Sequence, residues 1–187
     1  MPDERKVKGS VVSDMVRIIR ALKDLPWDKY LLPEDFEIID SMIIPTAWYP
    51  IEFYQRTGLA VYRLAAAGND KLVKDFGEKA MIELFEGPYR PFLDHGDPVV
   101  AIRKFLDLRR PLFNFSRMEA RSLGPNSLLV SITDFGEFEA GLEMFMTLTG
   151  AHLTKLAELN GAGQVKLDPS HSRQQEDISI EFRLTWE

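Results

Sequence analysis

Two periods divide the chain. From Val11 to about Phe113 apolar side chains return every three or four positions, the spacing of one helix face; from Phe115 onward alternation by two sets in. Val11, Val12, Met15, Val16, Ile18, Ile19 and Leu22 predict a first amphipathic helix with Ser10 as its cap. Pro33-Glu34-Asp35 sets proline and acids at the start of a second, which carries Phe36, Ile38, Ile39 and Met42 inward. Pro50 disfavours helical geometry at Tyr49 while suiting the first turn of a helix to about Ala67. Gly68-Asn69-Asp70 ends that helix and caps another, with Leu72, Val73, Phe76, Ala80, Met81, Leu84 and Phe85 as its stripe up to Gly87-Pro88. Asp97-Pro98 begins one more, which runs to Pro111.

In the second part Ser116, Met118 and Ala120 alternate with Arg117, Glu119 and Arg121, and Leu128 to Thr133 is strand-like, so a hairpin is expected. A helix opened by Asp134 or Gly136 is expected to carry Phe138, Leu142, Phe145, Met146 and Leu148 and to end at Gly150. Ile178, Ile180, Phe182, Leu184 and Trp186 alternate with polar residues, the pattern of a strand with one buried face. Its partner is expected at His152 to Leu159, where Leu153, Leu156 and Leu159 would suit a helix equally well, with Gly161 to Asp177 as a polar loop. The expected class is α+β. A helical part, about residues 10–113, packs against a carboxyl-terminal antiparallel sheet, residues 115–187, within a single domain spanning 1–187.

Composition narrows the chemistry. The 187 residues contain no cysteine, which removes disulfides, thiol nucleophiles and cysteine-ligated metals. A net charge of −6 disfavours nucleic acid as a partner, and no apolar run is long enough for a membrane span or a secretory core. A cytoplasmic location is expected. His95, His152 and His171 lie far apart with no ligand spacing, so no metal site is expected, and Asp94-His95-Gly96-Asp97 reads as an exposed turn. Asn160-Gly161-Ala162-Gly163-Gln164 does not complete a dinucleotide fingerprint, and Gly77-Glu78-Lys79 is no phosphate loop. Asp168 with Ser170-His171 holds the residue types of a hydrolase triad, but neighbours in a loop are not pre-aligned for it.

Two groups remain. The basic residues Arg103, Lys104, Arg109, Arg110, Arg117 and Arg121 either pair with the many acids or receive an anion. Aromatics are dense between residues 48 and 115; most are core, while Trp48 and Tyr49 ahead of a proline could line a pocket or a subunit contact. The candidate ligand pocket comprises Trp48, Tyr49, Phe53, Tyr54, Phe76, Met81 and Phe105, together with Arg117.

Lys8-Gly9-Ser10-Val11-Val12, Trp48-Tyr49-Pro50 and Phe182-Arg183-Leu184-Thr185-Trp186 resemble motifs of an uncharacterised bacterial family best known from myxobacteria, over nearly the whole chain. That family is similar in fold to 4-vinyl-reductase-type domains, haem nitric-oxide-binding domains and transport-particle subunits. The resemblance implies a sensor-like or scaffold module, often dimeric, with a pocket between helices and sheet. In the haem-binding relatives a proximal histidine lies on the helix before the hairpin and a Tyr-x-Ser-x-Arg motif holds the propionates. Here Val99 to Arg110 has no histidine, and Phe113-Asn114-Phe115-Ser116-Arg117 keeps only a Ser-Arg fragment, so no haem and no other cofactor is expected. The expected function is a non-catalytic binding module, a homodimer that holds a small apolar ligand or a partner protein. The alternative is a scaffold subunit with a filled core, and a third reading is an enzyme with an unrecognised carboxylate pair. A cavity separates the first reading from the second.

Overall fold

The computed structural model describes residues 4–87, 89–135, 141–174 and 177–187. Strand β1 (Lys6–Lys8) leads into α1 (Gly9–Ala21), followed by α2 (Pro33–Asp40), β2 (Trp48–Pro50) and α3 (Ile51–Ala60), which continues as a π-helical turn over Val61–Ala65. Then come α4 (Asp70–Glu86), α5 (Arg90–Leu93) and α6 (Pro98–Arg109). The second part holds β3 (Arg117–Gly124), β4 (Ser127–Thr133), α7 (Leu142–Leu159), β5 (Lys166–Gln174) and β6 (Asp177–Thr185). The fold class is α+β, as the two periods require.

Helix starts follow the local chemistry. Asp97 accepts from the Val99 and Val100 N–H groups at 2.8 and 3.1 Å, and Asn69 accepts from Lys71 N–H at 3.0 Å. Asp35 reaches back to Leu32 N–H at 2.8 Å and holds Arg56 of α3 through two 2.7 Å bonds, which ties α2 to α3 through a fully buried carboxylate. The expected Ser10 cap is corrected: α1 begins at Gly9 and makes no side-chain cap bond. Its first N–H groups donate to carbonyls of the segment before β2, Gly9 to Ala47 at 2.9 Å and Ser10 to Pro45 at 3.0 Å.

Two of the three sequence motifs meet here. β1 and β2 pair antiparallel, Val7 opposite Tyr49 and Lys8 opposite Trp48. Lys8 Nζ lies 3.8 Å from the Trp48 ring centroid, while the Tyr49 hydroxyl accepts from Ile44 N–H at 3.0 Å. The Lys-Gly-Ser and Trp-Tyr-Pro segments therefore form one clasp that fixes the approach to α1.

The main sheet is antiparallel in the order β3-β4-β6-β5, with Ala120 opposite Val130, Val130 opposite Phe182 and Pro169 opposite Phe182. Leu128, Val130 and Ile132 of β4 and Ile178, Ile180, Phe182 and Leu184 of β6 are buried, as the alternation predicts, whereas Trp186 is half-buried. Three expectations are corrected. His152 to Leu159 is not a strand but the last turns of α7, which runs straight through Gly150; the partner of β6 is β5, inside the stretch expected to be a loop. The expected helix start at Gly136 and the residue Phe138 lie outside the described residues. α7 packs against α4, α6 and the sheet, and one continuous apolar core joins helices and strands. No helix among the described residues is long and apolar enough to cross a membrane.

Candidate functional site

Five helices leave a cavity of about 560 Å³ between them. Each contributes a stripe at helical spacing: Val11, Met15 and Ile18 from α1; Phe76, Ala80 and Leu84 from α4; Met144, Leu148 and His152 from α7. Tyr54 and Gly58 of α3 and Phe105, Leu108 and Arg109 of α6 complete the wall. A side chain at Gly58 would meet Met144, so the glycine leaves room there. Leu72, Phe76 and Tyr89 line the cavity and are also exposed, which places apolar surface at its mouth.

Of the sequence candidates, Tyr54, Phe76, Met81 and Phe105 lie in this wall. Trp48 and Tyr49 belong to the β1–β2 clasp, and Phe53 is buried in the general core. Arg117 is corrected from pocket to surface: it is largely exposed at the start of β3 and pairs with Asp134 at 3.1 Å. Arg109 and His152 are polar members of the wall outside the candidate pocket set; in the sequence Arg109 stands only in the basic group read as pairing with acids or receiving an anion, and His152 only among the histidines without ligand spacing. Read with α7 as a helix, the spacing of Met144, Leu148 and His152 would have found the histidine.

Arg109 sits with its guanidinium 5.5 Å from the Phe105 ring centroid and 5.7 Å from that of Phe113. One of its terminal nitrogens lies 3.4 Å from His152 Nδ1. The Arg109 Nε atom and His152 Nε2 are both sealed from solvent without a hydrogen-bond partner. Burial, reinforced by the neighbouring guanidinium, pushes His152 down to about 3, so the ring is neutral at physiological pH. Burial also lowers Arg109, which nevertheless stays charged. Since a guanidinium only donates, Nδ1 is the accepting nitrogen, and the ring proton sits on Nε2.

The hydroxyl of Tyr62 is committed elsewhere: it donates to Asp70 at 2.7 Å, which raises its pKa. Burial raises that of Tyr54, and the nearby Arg109 opposes the rise. Among the described residues, no group of three or more His, Asp or Glu side chains is placed to hold a metal ion.

No family model and no curated protein matches the chain. Solved structures do. An Fe(II) unliganded H-NOX protein from K. algicida shares 12% identity and a TM-score of 0.64, over 96% of this chain and 96% of that one. An oxygen-binding H-NOX domain related to soluble guanylate cyclases gives 11% and 0.61, over 96% and 95%. The chain has the H-NOX fold. An H-NOX structure from work on heme distortion agrees, at 12% identity and a TM-score of 0.62 over 96% and 95%. The match lies on the haem nitric-oxide-binding arm of the resemblance drawn from the sequence, and at these identities it concerns architecture alone.

Whether an H-NOX fold built from these residues suits haem depends on an axial ligand, which in proteins is His, Cys, Met or Tyr. α6, the helix before the hairpin, supplies none of them. His152 reaches the cavity from α7, yet ligation through Nε2 would move the ring proton to Nδ1, against the donating guanidinium of Arg109. Tyr62 is bonded to a carboxylate, and burial disfavours a Tyr54 phenolate. The thioethers of Met15, Met81 and Met144 line the wall, but the imidazole of a Met/His pair would be that of His152, whose Nδ1 faces Arg109. The donor set does not fit haem.

Proposed function

We propose that this chain is a non-catalytic binding module that holds a small, largely apolar molecule in the cavity between α1, α3, α4, α6 and α7, without haem. The observation that carries this reading is the cavity itself: about 560 Å³ lies within the range of small-molecule sites, and its wall is apolar apart from a few convergent polar groups. A scaffold whose core is filled by side chains would have no such space. The H-NOX fold supports a sensor-like role, since structures that share it are described as oxygen-binding and as undergoing activation. Kinship to the myxobacterial-type family, with its vinyl-reductase and transport-particle relatives, belongs to the same proposal, as do the single domain and the cytoplasmic setting.

Native mass spectrometry of the intact protein purified from cells tests the reading. A bound species of a few hundred daltons, released on denaturation, is the expected result. Protein expressed with added haem should show no Soret band after gel filtration; a persistent band would overturn the haem-free reading.

A homodimer is favoured by apolar side chains that the single chain leaves uncovered, Leu72 and Phe76 one turn apart on α4 and Phe92 on α5. Light scattering should give twice the chain mass, and a monomeric mass over a wide concentration range would exclude the dimer.

A further inference from the structure

On the haem-free reading above, the polar end of the cavity carries a selectivity of its own. Arg5, Arg17, Arg56, Arg90, Arg110 and Arg117 each lie within ion-pair distance of an acid. Arg109 makes no ion pair among the described residues, and it is packed against Phe105, Phe113 and His152 in the wall of the cavity. Its charge is held by two aromatic rings and a neutral imidazole. Such a cation is costly to bury unless an anion completes the site. Beside it, Arg109 Nε and His152 Nε2 are two of the three buried side-chain polar atoms without a partner among the described residues, and both belong to residues of this cavity. Both are donors. The polar end therefore places one positive charge, with two unpartnered N–H groups packed behind it, beside an apolar chamber.

We infer that the cavity takes an amphipathic monocarboxylate, whose two oxygens accept from Arg109 and His152 while its hydrocarbon part lies along Met15, Phe76 and Leu148. A carboxylate brings two planar acceptors and a single charge, which matches a single guanidinium. A phosphate monoester would bring close to two charges into a site with one cation, leaving an excess anion in apolar surroundings. A neutral alcohol would leave the charge of Arg109 unbalanced. Asp14, the acid of the cavity wall, lies on α1 with its carboxylate more than half exposed, so it does not compete for the guanidinium.

Isothermal titration calorimetry of the full chain with decanoate, decanol and decyl phosphate reads this out. Decanoate should bind about ten- to a hundredfold tighter than decanol, the range expected of charge-assisted hydrogen bonds. Arg109→Met should abolish that preference by weakening decanoate, with a cooperative urea transition of unchanged m certifying that the variant is folded. Arg109→Lys should keep part of the preference. His152→Gln, whose amide still donates, should bind decanoate within a few-fold of wild type, and His152→Leu should lose about tenfold. Equal binding of decanoate and decanol, or tighter binding of decyl phosphate, would overturn the carboxylate assignment and leave the cavity reading standing. If none of the three binds, the proposed function fails with it.

Discussion

His152 is the residue at which fold, stability and ligand chemistry meet. Its imidazole is buried against Phe105 at a ring separation of 6.1 Å and faces the guanidinium of Arg109, so protonation there would add a second positive charge to an apolar chamber. In the unfolded chain the same ring titrates near 6.5, and in the folded one near 3. Above pH 6.5 both states are neutral and the group contributes no pH dependence. As pH falls below 6.5 the unfolded state takes up a proton that the folded state refuses, and stability declines until about pH 3. Between pH 6.5 and 5 the loss is about 2 kcal/mol. Arg109 keeps its charge throughout and does not contribute to the slope. Urea titrations at pH 7, 6 and 5 should show this decline in wild type and a shallower one in His152→Gln; parallel slopes would mean that the ring is hydrated in the folded protein.

At the scale of elements, the clasp of β1 and β2 explains two motifs whose spacing alone suggested a family signature. Gly9 opens α1 directly beneath the Ile44 carbonyl, and a methyl group there would strike both that oxygen and the Tyr49 ring, at 2.8 Å from Cε2. Because a backbone atom is the obstacle, the neighbour cannot swing aside. Gly9→Ala should destabilise by about 1–3 kcal/mol despite alanine's better helix propensity, measured as a lowered urea midpoint with unchanged m. An unaltered midpoint would mean that the segment before β2 is free to shift.

The elements also show where sequence patterns carry information. β4 and β6 lie in the middle of the sheet with one face on the core, so their alternation is clean and their assignment secure. β5 is an edge strand: it carries Lys166, Asp168, Pro169, Ser170 and Arg173, nearly all exposed, and such polar edges read as loops because they are built to resist further pairing. The end of α7 is illegible for the opposite reason. It is apolar on several sides because it packs between helices and sheet, and a short apolar run does not reveal its period.

For the molecule as a whole, the helical first part, the hairpin and the last strand were legible because each keeps one period over its length, whereas α7 breaks the period of two in the second part. The cavity was legible only in part. Tyr54, Phe76, Met81 and Phe105 stood out as large apolar residues, but a chamber is a property of how five helices meet, and no one stripe records the space left between them. Arg109 was hidden among six basic residues close in sequence, of which Arg110 pairs with Asp107, Arg117 with Asp134, and Arg103 bonds the Ala120 carbonyl. Only tertiary placement distinguishes the arginine that turns inward from those that turn out.

The short opening strand gains importance from what it touches. Val7, wholly enclosed, forms a bridge to Phe113, the ring that carries the Arg109 guanidinium on one side, and Asn114 next to it grips Lys6 N–H and the Glu4 carbonyl. A shortened variant beginning at Lys8 should therefore melt earlier and lose part of the preference for decanoate over decanol that the intact chain shows, both read by calorimetry. In mechanical terms β1 is a strut: it braces Phe113, and Phe113 in turn backs the guanidinium on which the proposed anion would sit.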